Sequence, residues 1–333
     1  MPVLSVILPF YNAVESLDAA LKSLINQSFT DFECLMVDNN STDGSREIAR
    51  QYACKDGRFR LLSESRQGVS FASVHGSSRA QGKYIARMDA DDIAFRDRFH
   101  WQVEYMEKHP ETAAIGGMVE FGGNNKQAAG LQRYVTWNNS LLTASDIRLK
   151  RFIESPLINP TAMWRRKVEE EAGGYLQGDF PEDYELWLRW LDKGYRIEKI
   201  PNVILQWNDP PTRLTRTDNR YSSDSFYNIK TRYLVNELKR INPHHPEVFV
   251  WGASRLMRRR AEKLLKHGIN IQAWVDISVK RRLNKSVVHY RDLPAHDKAF
   301  VLVYVPQLEI RTEICKYLDS KGFHEGENYL LLG

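Results

Sequence analysis

Cysteine is scarce in this chain. Its 333 residues hold three, Cys34, Cys54 and Cys315, far apart and odd in number. That excludes a disulfide-stapled scaffold and any paired-cysteine metal or redox motif, and leaves free thiols in a reducing compartment. Long apolar runs are missing too: none approaches the ~18 residues of a membrane span. The N-terminal MPVLSVILPFYN has an apolar stretch but no basic leader and no small-residue cleavage site. It reads as a buried strand rather than a signal peptide, and the expectation is a cytoplasmic protein. Charge of one sign is in small excess, +5 from 47 Lys and Arg against 42 Asp and Glu, too little to argue for nucleic acid. Internal repeats and low-complexity tracts are absent. No glycine-rich phosphate loop follows the first apolar run, where the sequence is FYNAVES.

What is present is an alternation of short apolar runs and helical periodicities. Leu4–Leu8, FECLMV (32–37), FRLL (59–62) and YIARM (84–88) read as buried strands, separated by helical patterns such as Leu17, Leu21 and Leu24. A second helix follows around Ile48–Tyr52 and a third over 69–81. This order predicts an α/β fold with a parallel sheet covered on both faces. Further on, 113–121 and 131–137 suggest a strand pair. A helix is expected over 167–172, closed by Gly173-Gly174, and another over 182–194, acidic at its start and apolar at Leu186, Trp187, Trp190 and Leu191. KIPNVILQW (199–207) reads as a strand and 209–221 as a mobile basic loop. A long helix then runs to Ile241, INPHHPE (241–247) breaks the chain, and βα alternation resumes to the end. The expected division is a catalytic domain over 1–216, a helical linker over 217–246 and a small Rossmann-like domain over 247–333.

In such sheets ligands bind beyond the carboxyl ends of the strands. Pro9–Asn12, Asp38–Asn40 and Asp89–Asp92 all fall there, so three clusters distant in sequence should converge on one crevice. The third is the sharpest. Asp89, Asp91 and Asp92 repel one another, and an Asp-x-Asp at a strand end suits Mg²⁺ or Mn²⁺, which take one or two carboxylates plus substrate phosphates. Arg87, Arg96 and Arg98 offer the other account, pairing with the acids at a solvated surface.

Taken together, SVILPFYN, LMVDNNSTDGS, GKYIARMDADDI and PEDYELWLRW resemble, in order and over roughly residues 3–215, the family 2 glycosyltransferases of GT-A fold. The resemblance implies a GT-A type Rossmann-like nucleotide-diphospho-sugar transferase domain that moves a sugar, with inversion, from a nucleotide-diphosphate donor to an acceptor hydroxyl, with a divalent metal, Mn or Mg, as cofactor. Carried over, Pro9 and Tyr11 would border the nucleotide, as would Arg66 and Ala90. Asp38 or Asn39 would face the nucleobase. Asp89 would lie near ribose and metal, Asp91 would ligate the metal and Asp183 would be the general base. Glu182 and Trp187 would lie toward the acceptor, although Trp187 and Trp190 read more simply as core. The chain departs from the family pattern in three places. The resemblance favours UDP, but Asn39 stands where Asp, which can accept from a uracil N–H, is frequent; an amide can accept or donate, which leaves dTDP and GDP open. The stretch NDPPTR (208–213) lacks the metal-binding His often found there, which leaves Asp209 or water. Val74, His75 and Gly76 occupy a helix position where Asn is common.

Behind the catalytic domain, WGASRLM (251–257) and Asp276 resemble the opening of a dinucleotide-binding unit, but Ser254 and Met257 stand where glycines are needed, so the domain is expected not to bind NAD. The helix carrying Arg255, Arg258, Arg259, Arg260, Lys263 and Lys266, with Lys280, Arg281, Arg282 and Lys285 beyond it, is either a solvated face or an attraction to an anionic membrane bearing lipid-linked acceptors. His244-His245 reads as loop rather than metal site. The expected partners are a nucleotide-sugar donor and a saccharide or lipid-linked saccharide acceptor, in bacterial cell-surface polysaccharide or lipopolysaccharide synthesis at the inner face of the membrane. A sugar nucleotidyltransferase and a non-catalytic sugar-nucleotide-binding scaffold are the competing classes. The first would need the absent glycine-rich loop, and the second would not need both Asp91 and Asp183.

Overall fold

A computed structural model of the chain describes residues 1–123, 128–278 and 287–333. Lys280, Arg281, Arg282 and Lys285 lie outside the described residues. Contacts group the chain into two compact units, one of residues 1–147 and 156–220, the other of 148–155 and 221–333.

The first unit is built on β1 (Leu4–Phe10), β2 (Phe32–Asp38), β3 (Phe59–Ser63) and β4 (Tyr84–Arg87), connected by α1 (Leu17–Ile25), α2 (Ser45–Lys55) and α3 (Val69–Ser78). Next come β5 (Ile93–Ala94), α4 (Arg98–Lys108), β6 (Thr112–Phe121), α5 (Ala129–Asn139), α6 (Ala144–Lys150), β7 (Met163–Arg165), α7 (Arg166–Ala172), α8 (Glu182–Asp192), β8 (Arg196–Trp207) and a single helical turn, α9 (Leu214–Thr217). The sheet order is β3-β2-β1-β4-β7-β6-β8-β5. β1 to β4 are parallel, and β7 runs antiparallel between β4 and β6. β8 runs parallel to β6. Two reversals restore direction, so β8 ends on the same edge as β1, β2 and β4.

β1 and β2 are buried along their whole length, as expected of strands covered on both faces. The pleat sorts their side chains: Leu4, Val6, Leu8 and Phe10 enter one apolar core and Ile7 the other. Helix α3 lies close on the sheet because Gly76 has no side chain. A Cβ there would come within 2.6 Å of Ile7 Cγ2 and 3.2 Å of Val37 Cγ2.

Two expectations need correction. Residues 131–137 form a helix, α5, and β6 pairs with β7 and β8 instead. The aromatic and β-branched content of LQRYVTW suggests a strand, but Val135 and Asn138 are buried along one helical face, and Asn139 Nδ2 donates to Val119 O at 2.8 Å. The basic stretch 209–221 is not loop throughout: it holds α9 and ion pairs of its own. Arg216 meets Asp209, and Arg220 meets Asp218, each at 2.6 Å.

The second unit contains α10 (Ser223–Ile241), β9 (Glu247–Trp251), α11 (Arg255–Ala261), β10 (Asn270–Asp276), β11 (Val287–His289), β12 (Val301–Val303), α12 (Leu308–Ser320) and β13 (Tyr329–Leu331). Its parallel sheet has the order β11-β10-β9-β12-β13. The helix expected as a linker, α10, is grouped with this unit, together with residues 148–155. Glu237 on α10 meets Arg151 at 2.9 Å, Arg148 at 3.0 Å and Arg240 at 2.6 Å. Lys230 Nζ donates to Ile153 O at 3.0 Å and Leu332 O at 3.1 Å. At the end of β9 the Met257 side chain lies over Gly252, and Asp276 accepts from the Ala253 and Ile277 amides. Both features of a dinucleotide fingerprint, the open glycine turn and the free acid, are thus occupied from within. Part of the basic helix is also spoken for: Arg259 and Lys263 meet Asp224, and Arg260 lies 4.3 Å over the Tyr227 ring.

Candidate active site

The shared carboxyl edge of β1, β2, β4 and β8 gathers the polar clusters. After β1 and β2 the two loops are stitched to each other. Thr42 N donates to Asn12 Oδ1 at 2.8 Å, Ala13 N to Ser45 Oγ at 2.8 Å and Val14 N to Asp43 Oδ2 at 3.0 Å. Pro9 is buried within β1, whereas Tyr11 just beyond it is 53% exposed and open to a ligand.

The two residues expected to face a nucleobase are both turned into the scaffold. Asp38 accepts from Ser41 N at 3.0 Å on one oxygen and from Arg46 Nη1 at 2.9 Å on the other. Asn39 is buried, and its amide bonds to the loop after β3. That loop presents Arg66, which grips Glu64 through Nε at 3.0 Å and Nη2 at 2.8 Å and lies 4.7 Å over the Phe71 ring. Hydrogen bonds from Arg66 hold the Glu64 carboxyl down at about 2. His75, one of the three departures, places Nδ1 3.2 Å from the same carboxylate.

Beyond β4 the carboxylates of Asp89, Asp91 and Asp92 come together, each offering an oxygen within 4.8 Å of the others. Ala90 between them is nearly buried. Of the three arginines around them Arg96 is exposed, while the other two are turned inward. Arg87 is buried and meets Asp89 at 2.7 Å; Arg98 is fully buried and donates through Nη2 to Arg87 O at 2.7 Å. Burial, followed by the Asp89 charge, pushes the Asp91 carboxyl up to about 6, while Arg213 and Arg87 pull it down. Asp92 is raised as well, by burial and by both neighbouring acids, and its buried Oδ2 has no hydrogen-bond partner. Three crowded oxygen donors, one of them orphaned, fit a hard divalent cation.

Two contributors to this cluster were not foreseen. Asn208, just past β8, donates its backbone N–H to Asp92 Oδ1 at 2.8 Å and its side-chain amide to Asp91 O at 2.7 Å. Arg213 lies 3.8 Å over the Trp207 ring and bonds Asn208 O at 3.1 Å, placing its charge beside the acids. The only sequence signal was the position of NDPPTR at a strand's carboxyl end. Asp209, considered as a substitute ligand, has both oxygens held by Arg216 at 2.6 Å.

Asp183 lies in the first turn of α8, half-buried. Burial, followed by the charge of Glu182, pushes its carboxyl up to about 7, and Asp89 adds to the rise. The field of Asp89 thus reaches Asp183, although the two belong to different elements. Its Oδ1 accepts from the adjacent Tyr184 N at 2.7 Å, and the helix has Pro181 at its N-cap. Glu182 is buried beside it. Trp187 must be removed from the acceptor residues: it is fully buried, edge-on to Trp164 and Trp190, and presents no face to a sugar.

Comparison with known proteins agrees with this architecture. The model of glycosyl transferase family 2 matches residues 5–173. TuaG of Bacillus subtilis, provisionally named a teichuronic acid biosynthesis glycosyltransferase, is 38% identical over 72% of this chain and 90% of its own length. The amylovoran biosynthesis glycosyltransferase AmsE of Erwinia amylovora is 30% identical over 61% of this chain and 74% of its own. Among solved structures, S. aureus TarS 1-349 in complex with UDP-GlcNAc superposes with a TM-score of 0.57 at 17% identity, covering 79% of this chain and 70% of that one. The mannosyltransferase PcManGT from Pyrobaculum calidifontis, in complex with GDP-Man and Mn²⁺, gives 0.51 at 19% identity, over 80% and 69%. With the family model spanning half the chain and the strand-end acids gathered on one edge of a GT-A type sheet, the chain belongs to glycosyltransferase family 2.

Proposed function

We propose that the protein moves a sugar, with inversion and dependence on a divalent metal, from a nucleotide-diphosphate donor to an acceptor hydroxyl. A UDP-sugar is favoured as donor and a saccharide or lipid-linked saccharide as acceptor, in the assembly of a bacterial cell-surface polysaccharide or lipopolysaccharide. The observation that carries the reading is a division of labour among acids: a crowded trio after β4, and Asp183 on a separate element, its carboxyl near neutrality. Tyr11, Arg66, Asp89 and Ala90 would border the nucleotide, with Pro9 shaping the strand end beneath. Asp91, with Asp89, would hold Mn²⁺ or Mg²⁺. A divalent ion bound there supplies counter-charge for the departing diphosphate.

The remaining chemistry belongs to Asp183. Ionised above about pH 7, it accepts the proton of the acceptor hydroxyl as that oxygen attacks the anomeric carbon. Attack opposite the leaving diphosphate inverts the centre and needs no covalent enzyme intermediate. Glu182 keeps the base strong through its neighbouring charge. The names of AmsE and TuaG support a polysaccharide setting. The UDP-GlcNAc and GDP-Man bound to the two solved structures support the donor class.

The test is incubation with UDP-, dTDP- and GDP-sugars and a permissive acceptor, following nucleoside diphosphate release and product anomer by NMR. EDTA should abolish turnover, and Asp91→Asn should lose donor affinity. Pyrophosphate release, a retained anomer or full activity in EDTA would each contradict the proposal.

A further inference from the structure

Asn39 stands where the family pattern puts a reader of the nucleobase. We propose that it is instead a positioning residue: it clamps the loop 64–68 that carries Arg66, and discrimination between bases does not pass through it. The proposal rests on the donor reading above. Asn39 is 3% exposed. Its Nδ2 donates to Glu64 O at 2.9 Å and Arg66 O at 2.8 Å, and its Oδ1 accepts from Gly68 N at 2.7 Å. An amide has two N–H donors, and both are used. The same partners fix which end is nitrogen, since two carbonyls face one side and an N–H the other. Asn40 repeats the stitch, donating to Ser65 O at 2.9 Å and Gln67 Oε1 at 3.2 Å. Asp38 is buried as well, with one oxygen on the Ser41 amide and the other on the Arg46 guanidinium, so it too faces the scaffold.

Held this way, the loop presents the Arg66 side chain outward, 61% exposed, with Nε and Nη2 on Glu64 and Nη1 left for a ligand. A guanidinium only donates, so the base edge it meets must offer a carbonyl oxygen or a ring-nitrogen acceptor. The clamp and a direct reader respond oppositely to aspartate. If Asn39 read the base, Asp would exchange a donor for an acceptor and change which base binds best. If Asn39 is the clamp, Asp turns a carboxylate toward two carbonyl oxygens, frees the loop and weakens every nucleotide alike.

The experiment is calorimetry of UDP, dTDP, GDP and ADP with the full chain, with Mn²⁺ present, for wild type, Asn39→Asp, Asn40→Ala and Arg66→Ala, beside hydrogen exchange over 64–68 without nucleotide. Asn39→Asp should weaken all nucleotides by about tenfold or more, the scale of one or two hydrogen bonds, with their ratios kept. Asn40→Ala, at an exposed position, should do so more mildly, and Arg66→Ala should alter the ratios. Exchange at 64–68 should accelerate in both asparagine variants. A change of base preference in Asn39→Asp, or unchanged exchange there, would overturn the clamp. If Asn39→Asp fails to fold, Asn40→Ala decides: faster exchange with kept ratios supports the clamp, and unchanged exchange refutes it. Should wild type bind none of the four diphosphates, the donor reading fails, while the exchange comparison still judges the clamp.

Discussion

Asp183 is held against its own ionisation. Folded, its carboxyl titrates at about 7 rather than the ordinary 3.8. Between those values the native state carries a proton that the unfolded chain has lost, so stability falls as pH rises through the window. Asp183→Asn removes the group that resists ionisation. The variant should therefore melt later than wild type at pH 8, with the gap closing toward pH 4. Turnover should fall about 10²–10⁴-fold while donor affinity survives. The wild-type pH–rate profile should rise with a limb near 7, the base being protonated and idle below it. Melting curves and initial rates across pH 4–9 check both signs. A variant that melts earlier and turns over normally would make the residue a structural one. Asp183 and the Asp-x-Asp were legible because adjacent letters carry their chemistry. Asn208 was not, since its bonds to the acids span 116 and 117 residues and only the folded sheet brings them together. Asn208→Ala should lower donor affinity in Mn²⁺ by loosening Asp91 and Asp92, with a smaller effect on melting; equal calorimetric affinity would refute that role.

At the scale of elements, the apolar runs of β1, β2 and β4 announce strands because both faces are covered, and α8 announces itself by acids at its start. The stretch 131–137 misleads because Tyr134, Val135, Thr136 and Trp137 have high strand propensity, which tertiary context overrides. Tyr134 and Trp207 pack with ring centroids 5.9 Å apart, and only the helical turn brings Tyr134 to that strand. Close packing of α3 on the sheet was likewise invisible, although Gly76 marks it. Gly76→Ala should destabilise the protein by about 1–3 kcal/mol through overpacking against Ile7 and Val37, measured by urea denaturation. An unchanged midpoint would mean that the helix shifts freely.

For the molecule as a whole, residues 148–155 lie within the first unit's stretch of sequence and group with the second unit. Nothing in RFIES signals this, because an apolar pair flanked by charges is equally at home in either core. Cutting the chain after residue 220 strips that segment of Glu237 and Lys230 and bares Phe152, fully buried in the intact chain. The shortened protein should be less soluble and melt earlier than the full chain. In the full chain, Glu237→Gln should cost about 3–5 kcal/mol, as when one partner of a buried ion pair is removed. Wild-type stability in either protein would mean the segment is held by other contacts.

No helix among the described residues is long and apolar enough to cross a membrane. The Lys230 knot has a consequence of another kind, in time. Its ammonium joins Ile153 O to Leu332 O, and the second of these is made long after the first. At about 5–20 residues per second of synthesis, Phe152 and Ile153 leave the ribosome on the order of ten to forty seconds before their last partner exists. For that interval the nascent chain carries an apolar segment with no place to go, and this is the stretch on which a chaperone would be expected to act.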